Sequence, residues 1–95
     1  MGHARSDELR DLDDVVVAIR ALTDIVERSP GIFYVRRSPF LHFHTKDGRR
    51  WADIKAGTEW GAEVPIPFEC GAAAKAAFLH EVRARHRVTM KGGDR

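Results

Sequence analysis

The run FLHFHTKDGRRWADIK, Phe40 to Lys55, carries the fold. Its centre, Asp47-Gly48, is a strong short hairpin signal, because a type I′ turn needs positive φ at both central residues and these two tolerate it. The flanking residues alternate apolar and polar as strands do. A two-residue turn there fixes the pairing: Lys46 faces Arg49, His44 faces Trp51, His42 faces Asp53, and Leu41 faces Ile54. Since strand side chains alternate between faces, Leu41, Phe43, Ala52 and Ile54 gather on one apolar side. Phe40, His42, His44, Trp51, Asp53 and Lys55 gather on the other.

Working outward, Ile32-Phe33-Tyr34-Val35-Arg36 is β-branched and aromatic and reads as a further strand. A three-residue turn at Arg37-Ser38-Pro39 would place Phe33 and Val35 on the core side, and Ile32, Tyr34 and Arg36 on the polar side. Tyr34 then neighbours His42, giving a row Tyr34, His42, Asp53. Val64-Pro65-Ile66-Pro67 suits only an edge strand, because proline cannot donate to a ladder. Upstream, Leu9, Leu12, Val15, Val16, Ile19, Leu22 and Val26 share one helical stripe, with Ser6 as N-cap and Ser29-Pro30-Gly31 as stop. Downstream, an Ala-rich helix runs from Glu69 or Cys70 to about Arg87, its buried stripe marked by Phe78, Leu79 and Val82. His86 lies at the edge of that stripe and His80 opposite it. The expectation is a single α+β domain over residues 1–95, with a three- or four-stranded antiparallel sheet and an N-terminal and a C-terminal helix on one face. Residues 1–5 and 90–95 read as disordered ends, so His3 carries no weight.

The Phe40 to Lys55 run resembles a hairpin of small uncharacterised bacterial proteins, in which a Phe-Leu-His-Phe-His strand, a short turn and an Ala-Asp-containing strand follow one another. The resemblance covers residues 31 to 68 at most. It supports the hairpin and brings no activity with it.

At 95 residues, 43% of them hydrophobic and 32% charged, the chain has room for one core. Its longest apolar stretch, Val15 to Val26, is interrupted by Arg20 and Asp24 and falls short of the roughly 20 residues of a spanning helix. A membrane partner is therefore not expected. A single cysteine, Cys70, permits no intrachain disulfide and suits a cytoplasmic setting. Residues 1–30 carry four arginines against seven acids, and residues 31–95 carry twelve basic residues against seven acids. That asymmetry alone does not establish an anionic partner.

The polar sheet face is where function is expected. Tyr34, Arg36, Phe40, His42, His44, Trp51, Asp53 and Lys55 form an aromatic and cationic surface that is costly to leave bare. The leading reading is a small binding or interaction module, docking a second copy or a protein partner there, with no cofactor. Trp60, in the following loop, either anchors a partner, closes over this face or packs inward. The runner-up is a metal-binding or acid-base enzyme, with His42, His44 and Asp53 as ligands of zinc or iron or as acid-base groups. Stacking of single-stranded nucleic acid is a further alternative, opposed by Asp53 in the middle of the face.

Overall fold

A computed structural model describes residues 2–92 of the chain. In chain order the elements are β1 (Gly2–His3), a 3-10 helix (Ser6–Leu12), α1 (Asp13–Arg20), β2 (Ile25–Ser29) and β3 (Ile32–Val35). They continue with β4 (Ser38–Lys46), β5 (Arg49–Ala56), β6 (Glu59–Trp60), β7 (Val64–Pro65) and α2 (Ala72–Gly92). All strand pairs are antiparallel, in the order β2-β3-β4-β5-β6, with β1 also pairing β4 and β7 also pairing β5. The α+β class with an N-terminal and a C-terminal helix holds. The sheet is larger than three or four strands, because short segments read as helix, leader and loop also pair.

The hairpin follows its turn chemistry. Asp47 and Gly48 sit at φ 52° and 80°, and the ladder runs Lys46↔Arg49, His44↔Trp51, His42↔Asp53 and Leu41↔Ile54. Leu41, Phe43, Ala52 and Ile54 are fully buried beneath the helices, and Phe43 stacks on Phe78 of α2 at 5.7 Å between ring centroids. All three helical elements contribute to this core: Leu9 and Leu12 from the 3-10 helix, Val15, Val16 and Ile19 from α1, Phe78 and Val82 from α2.

The turn before β4 differs from the expected one. Val35 pairs directly with Ser38, so the turn is the two residues Arg36-Arg37, with Arg36 at φ 58°. One step along β3, from Phe33 to Tyr34, matches two steps along β4, from Leu41 to Pro39. Phe40 is the extra residue of this bulge. A bulge breaks the alternation and re-aims a side chain. Phe40 accordingly turns into the core, fully buried, with its ring 5.9 Å from His86. The shift also puts Ile32, not Tyr34, opposite His42.

The first helix is shorter than its apolar stripe. It ends at Arg20, and Asp24 takes φ 63° before the chain enters β2. β-branched Ile25 and Val26 then pair with Val35 and Tyr34, while the Arg36 N–H donates to the Asp24 carbonyl at 3.0 Å. A strand here supplies β3 with the backbone partners that a helix would have withheld. Val26 is exposed instead of buried. Ser6 opens the 3-10 helix instead of capping an α-helix; the Arg5 N–H donates to the Glu8 carboxylate at 2.9 Å.

The ends also depart from expectation. Gly2–His3, read as a disordered leader, pairs with β4 in the register Gly2↔Thr45 and His3↔His44. Met90 to Gly92, read as loose tail, continue α2; residues 93–95 lie outside the described residues. β1 occupies the same edge of β4 as β3, just beyond the point where β3 ends at Ile32↔His42.

One buried cation ties the helical layer to the sheet. Arg50 is 2% exposed, and all its N–H groups are engaged. Nε donates to the Ile66 carbonyl at 2.7 Å, Nη1 to the Glu8 carbonyl and to Asp11 Oδ1 at 2.7 Å each, and Nη2 to Asp11 Oδ2 at 2.9 Å and the Pro67 carbonyl at 2.8 Å. Asp11 also accepts the Glu69 N–H at 2.9 Å. Its carboxyl is held down at about 2, chiefly by the hydrogen bonds from Arg50 and against the opposing effect of burial.

Candidate metal centre

His42 and His44 lie two residues apart on β4 and therefore point to the same face. Strand β1 brings a third imidazole beside them. His3, paired with His44, has its ring centroid 5.0 Å from that of His42 and 5.1 Å from that of His44. One ring nitrogen from each of the three lies within 4.8 Å of the others. His3 is exposed, His42 half-buried and His44 buried.

The second layer is equally specific. Asp53, cross-strand partner of His42, places Oδ2 2.9 Å from His44 Nε2. The same nitrogen is 2.6 Å from His42 Nδ1. His44 Nδ1, in contrast, is buried and has no hydrogen-bond partner among the described residues. A buried polar nitrogen left unpaired is destabilising unless something else meets it. Trp51 stacks on His44 with centroids 5.5 Å apart, and Trp60 meets His42 edge-on at 4.6 Å. The ammonium of Lys55 sits 5.1 Å over the Trp60 ring.

These neighbours set the protonation of His42. His42 is lowered from its ordinary value to about 4, first by burial and then by the adjacent His44 and His3, with Asp53 opposing. At neutral pH its ring is uncharged, and a neutral imidazole is the form that donates a lone pair to a metal. A tetrahedral ion with bonds of about 2.0 to 2.1 Å would separate its ligand nitrogens by about 3.3 Å. His44 Nε2, 2.6 Å from His42 Nδ1 and 2.9 Å from Asp53 Oδ2, is taken up by those two contacts, so the nitrogen that His44 would offer a metal is its unpaired Nδ1.

Of the residues expected on this face, the structure brings together His42, His44, Asp53, Trp51 and Lys55. Tyr34 lies elsewhere, half-buried opposite Pro39 under the Arg28 guanidinium at 4.4 Å. Arg36 lies in the β3–β4 turn with its Nε 3.1 Å from Asp24 Oδ2. Phe40 belongs to the core, and Trp51, at 4% exposure, presents almost no surface. His3 is a member of the cluster that the sequence does not announce: its only signal is its residue type, since a two-residue strand has no pattern to read. His86 is buried with Nε2 2.8 Å from the Thr23 carbonyl, whereas His80 is exposed. Cys70 is a half-buried thiol packed against the core.

No family model, curated protein or solved structure matches the chain. Among the described residues no helix is long and apolar enough to cross a membrane.

Proposed function

We propose that this domain binds a divalent transition-metal ion, of the zinc class, through His3, His42 and His44. The observation that carries the reading is three imidazoles converging on one face, one of them buried with an unpaired nitrogen and a carboxylate on its other nitrogen. A carboxylate bonded to a metal-ligating histidine fixes the ring and raises its basicity, and Asp53 stands where such a group is needed. Borderline nitrogen donors suit zinc. Iron of the two-histidine, one-carboxylate type would require the carboxylate as a ligand, whereas Asp53 is already engaged with His44.

Three protein ligands leave a fourth tetrahedral position for water or an added ligand, as in catalytic rather than closed structural zinc sites. Docking of a partner or a second copy has less to rest on, because Phe40 and Trp51 are buried within the domain. Trp60, 45% exposed, remains its main aromatic. The test is zinc titration of metal-stripped protein by calorimetry, repeated with His42→Ala and His44→Ala after circular dichroism has verified folding. One equivalent bound at micromolar affinity or tighter, and lost in both variants, is the expected result. Absent binding, or binding unchanged by both substitutions, overturns the reading.

A further inference from the structure

We infer that the N-terminal strand β1 is a metal-operated clasp: an ion held by His42 and His44 recruits His3 and thereby locks β1 onto the edge of β4. The inference rests on the metal reading above and adds to it the regulation of strand docking. Its basis is topological. β3 covers the edge of β4 only as far as His42, and beyond that point β1 is the strand that pairs with the edge. β1 contributes two residue pairs, followed by the Ala4 N–H donating to the Phe43 carbonyl at 3.0 Å. So short a pairing is weak by itself. Ala4, buried at 5% exposure, and the Thr45 hydroxyl donating to Glu8 at 3.0 Å hold the chain just after it. These contacts favour docking of β1, and an ion would add to them.

The coupling follows from where the third ligand sits. His44 and His42 are fixed by the nine-residue strand β4 and its full ladder with β5, but His3 reaches them only while its own strand is paired. If docking of β1 raises zinc affinity by some factor, zinc must raise the docking constant by the same factor. A third imidazole entering the coordination sphere gives the ion that differential affinity, without which no shift would follow. The competing arrangement is coordination by His42, His44 and Asp53 alone, in which β1 would be indifferent to metal.

The experiment measures exchange of the Ala4 amide proton by NMR, with and without saturating zinc chloride, on the parent chain and on His3→Ala and His3→Gln. Zinc uptake is followed in parallel by calorimetry. His3 is exposed, so neither substitution endangers the core. In the parent, zinc should slow Ala4 exchange by about tenfold, within the range of about 5 to 150 typical of coupled sites. Both variants should bind zinc about tenfold or more weakly, and at saturation should show no slowing at Ala4. The clasp is overturned if the parent binds zinc with Ala4 exchange unchanged, or if the variants gain the same protection. Those results leave the metal centre standing. A parent chain that takes up no zinc overturns both, and calorimetry alone identifies that case.

Discussion

Replacing Arg50 by methionine tests the fold where its layers are joined. The substitution keeps most of the side-chain volume and removes every donor, leaving the Asp11 carboxylate with one strong partner, the Glu69 N–H, and stripping the Glu8, Ile66 and Pro67 carbonyls of the guanidinium. Breaking a buried pair from one side typically costs about 3 to 5 kcal/mol. A domain of this size holds on the order of 5 to 14 kcal/mol in total. Urea unfolding followed by circular dichroism should therefore show the midpoint falling by more than about 1 M, taking a slope of roughly 1 to 3 kcal/mol/M. The acid limb checks the same pair from the other side. Asp11 titrates at about 2 in the folded chain against 3.8 ordinarily, so on acidification the unfolded chain takes the proton first. Stability from this pair is fully present above about pH 5 and is lost as pH falls through 4 towards 2, by about 2 kcal/mol. Asp11→Asn should flatten that limb. Asp14, lowered by its hydrogen bond to Lys75 on the exposed surface, provides a control through Asp14→Asn. A loss below about 1 kcal/mol in Arg50→Met, or an acid limb unchanged in Asp11→Asn, would refute the role given to this pair.

Phe40→Ala should cost about 3 to 5 kcal/mol in equilibrium unfolding, because the bulge turns this residue into the core; a cost typical of a surface position would put it back on the polar face. Gly31→Ala and Gly48→Ala, both at positive φ, should separate in thermal unfolding. A Cβ at Gly48 meets nothing within 4 Å and costs about 1 kcal/mol of backbone strain, whereas at Gly31 it would come within 2.6 Å of Leu9 Cδ1 and cost more; equal costs would refute the Leu9 contact. Asp53→Asn should weaken zinc binding by about 10 to 100-fold in calorimetry, and full affinity would remove Asp53 from the centre. Trp60→Phe should reduce the change in tryptophan fluorescence on zinc addition, since the Trp60 ring touches His42; an unchanged signal would assign the response elsewhere.

What could be read beforehand follows the range of the interactions concerned. The β4–β5 hairpin was legible because Asp47-Gly48 fixes its register within a few residues, and with it the grouping of His42, His44 and Asp53. The bulge at Phe40 was not, because its alternation looks regular until the two-residue turn at Arg36-Arg37 and the pairing of β3 decide where the extra residue goes. Val26 fits the helical stripe and a strand equally well. The partner that decides between them, the free edge of β3, lies several residues further along the chain. The buried role of Arg50 was equally hidden, since its acceptors come from Glu8, Asp11, Ile66 and Pro67. His3 depended on a two-residue pairing across more than forty positions, with no pattern of its own to announce it.

The rim of the sheet has a consequence for behaviour at high concentration. Its terminal segments are poor templates for a foreign strand: β2 carries Glu27 and Arg28 and is irregular between Glu27 and Ser29, while β6 and β7 are two residues long, the latter ending in Pro65. Charge, irregularity, shortness and proline each discourage intermolecular strand pairing. The edge beside His44 and Thr45 has a different guard, β1. A clasp that the ion tightens about tenfold leaves that edge uncovered more often when metal is withdrawn, so the metal-stripped chain should be the form more prone to aggregate on concentration, and metal supply would then bear on its colloidal stability as well as its binding.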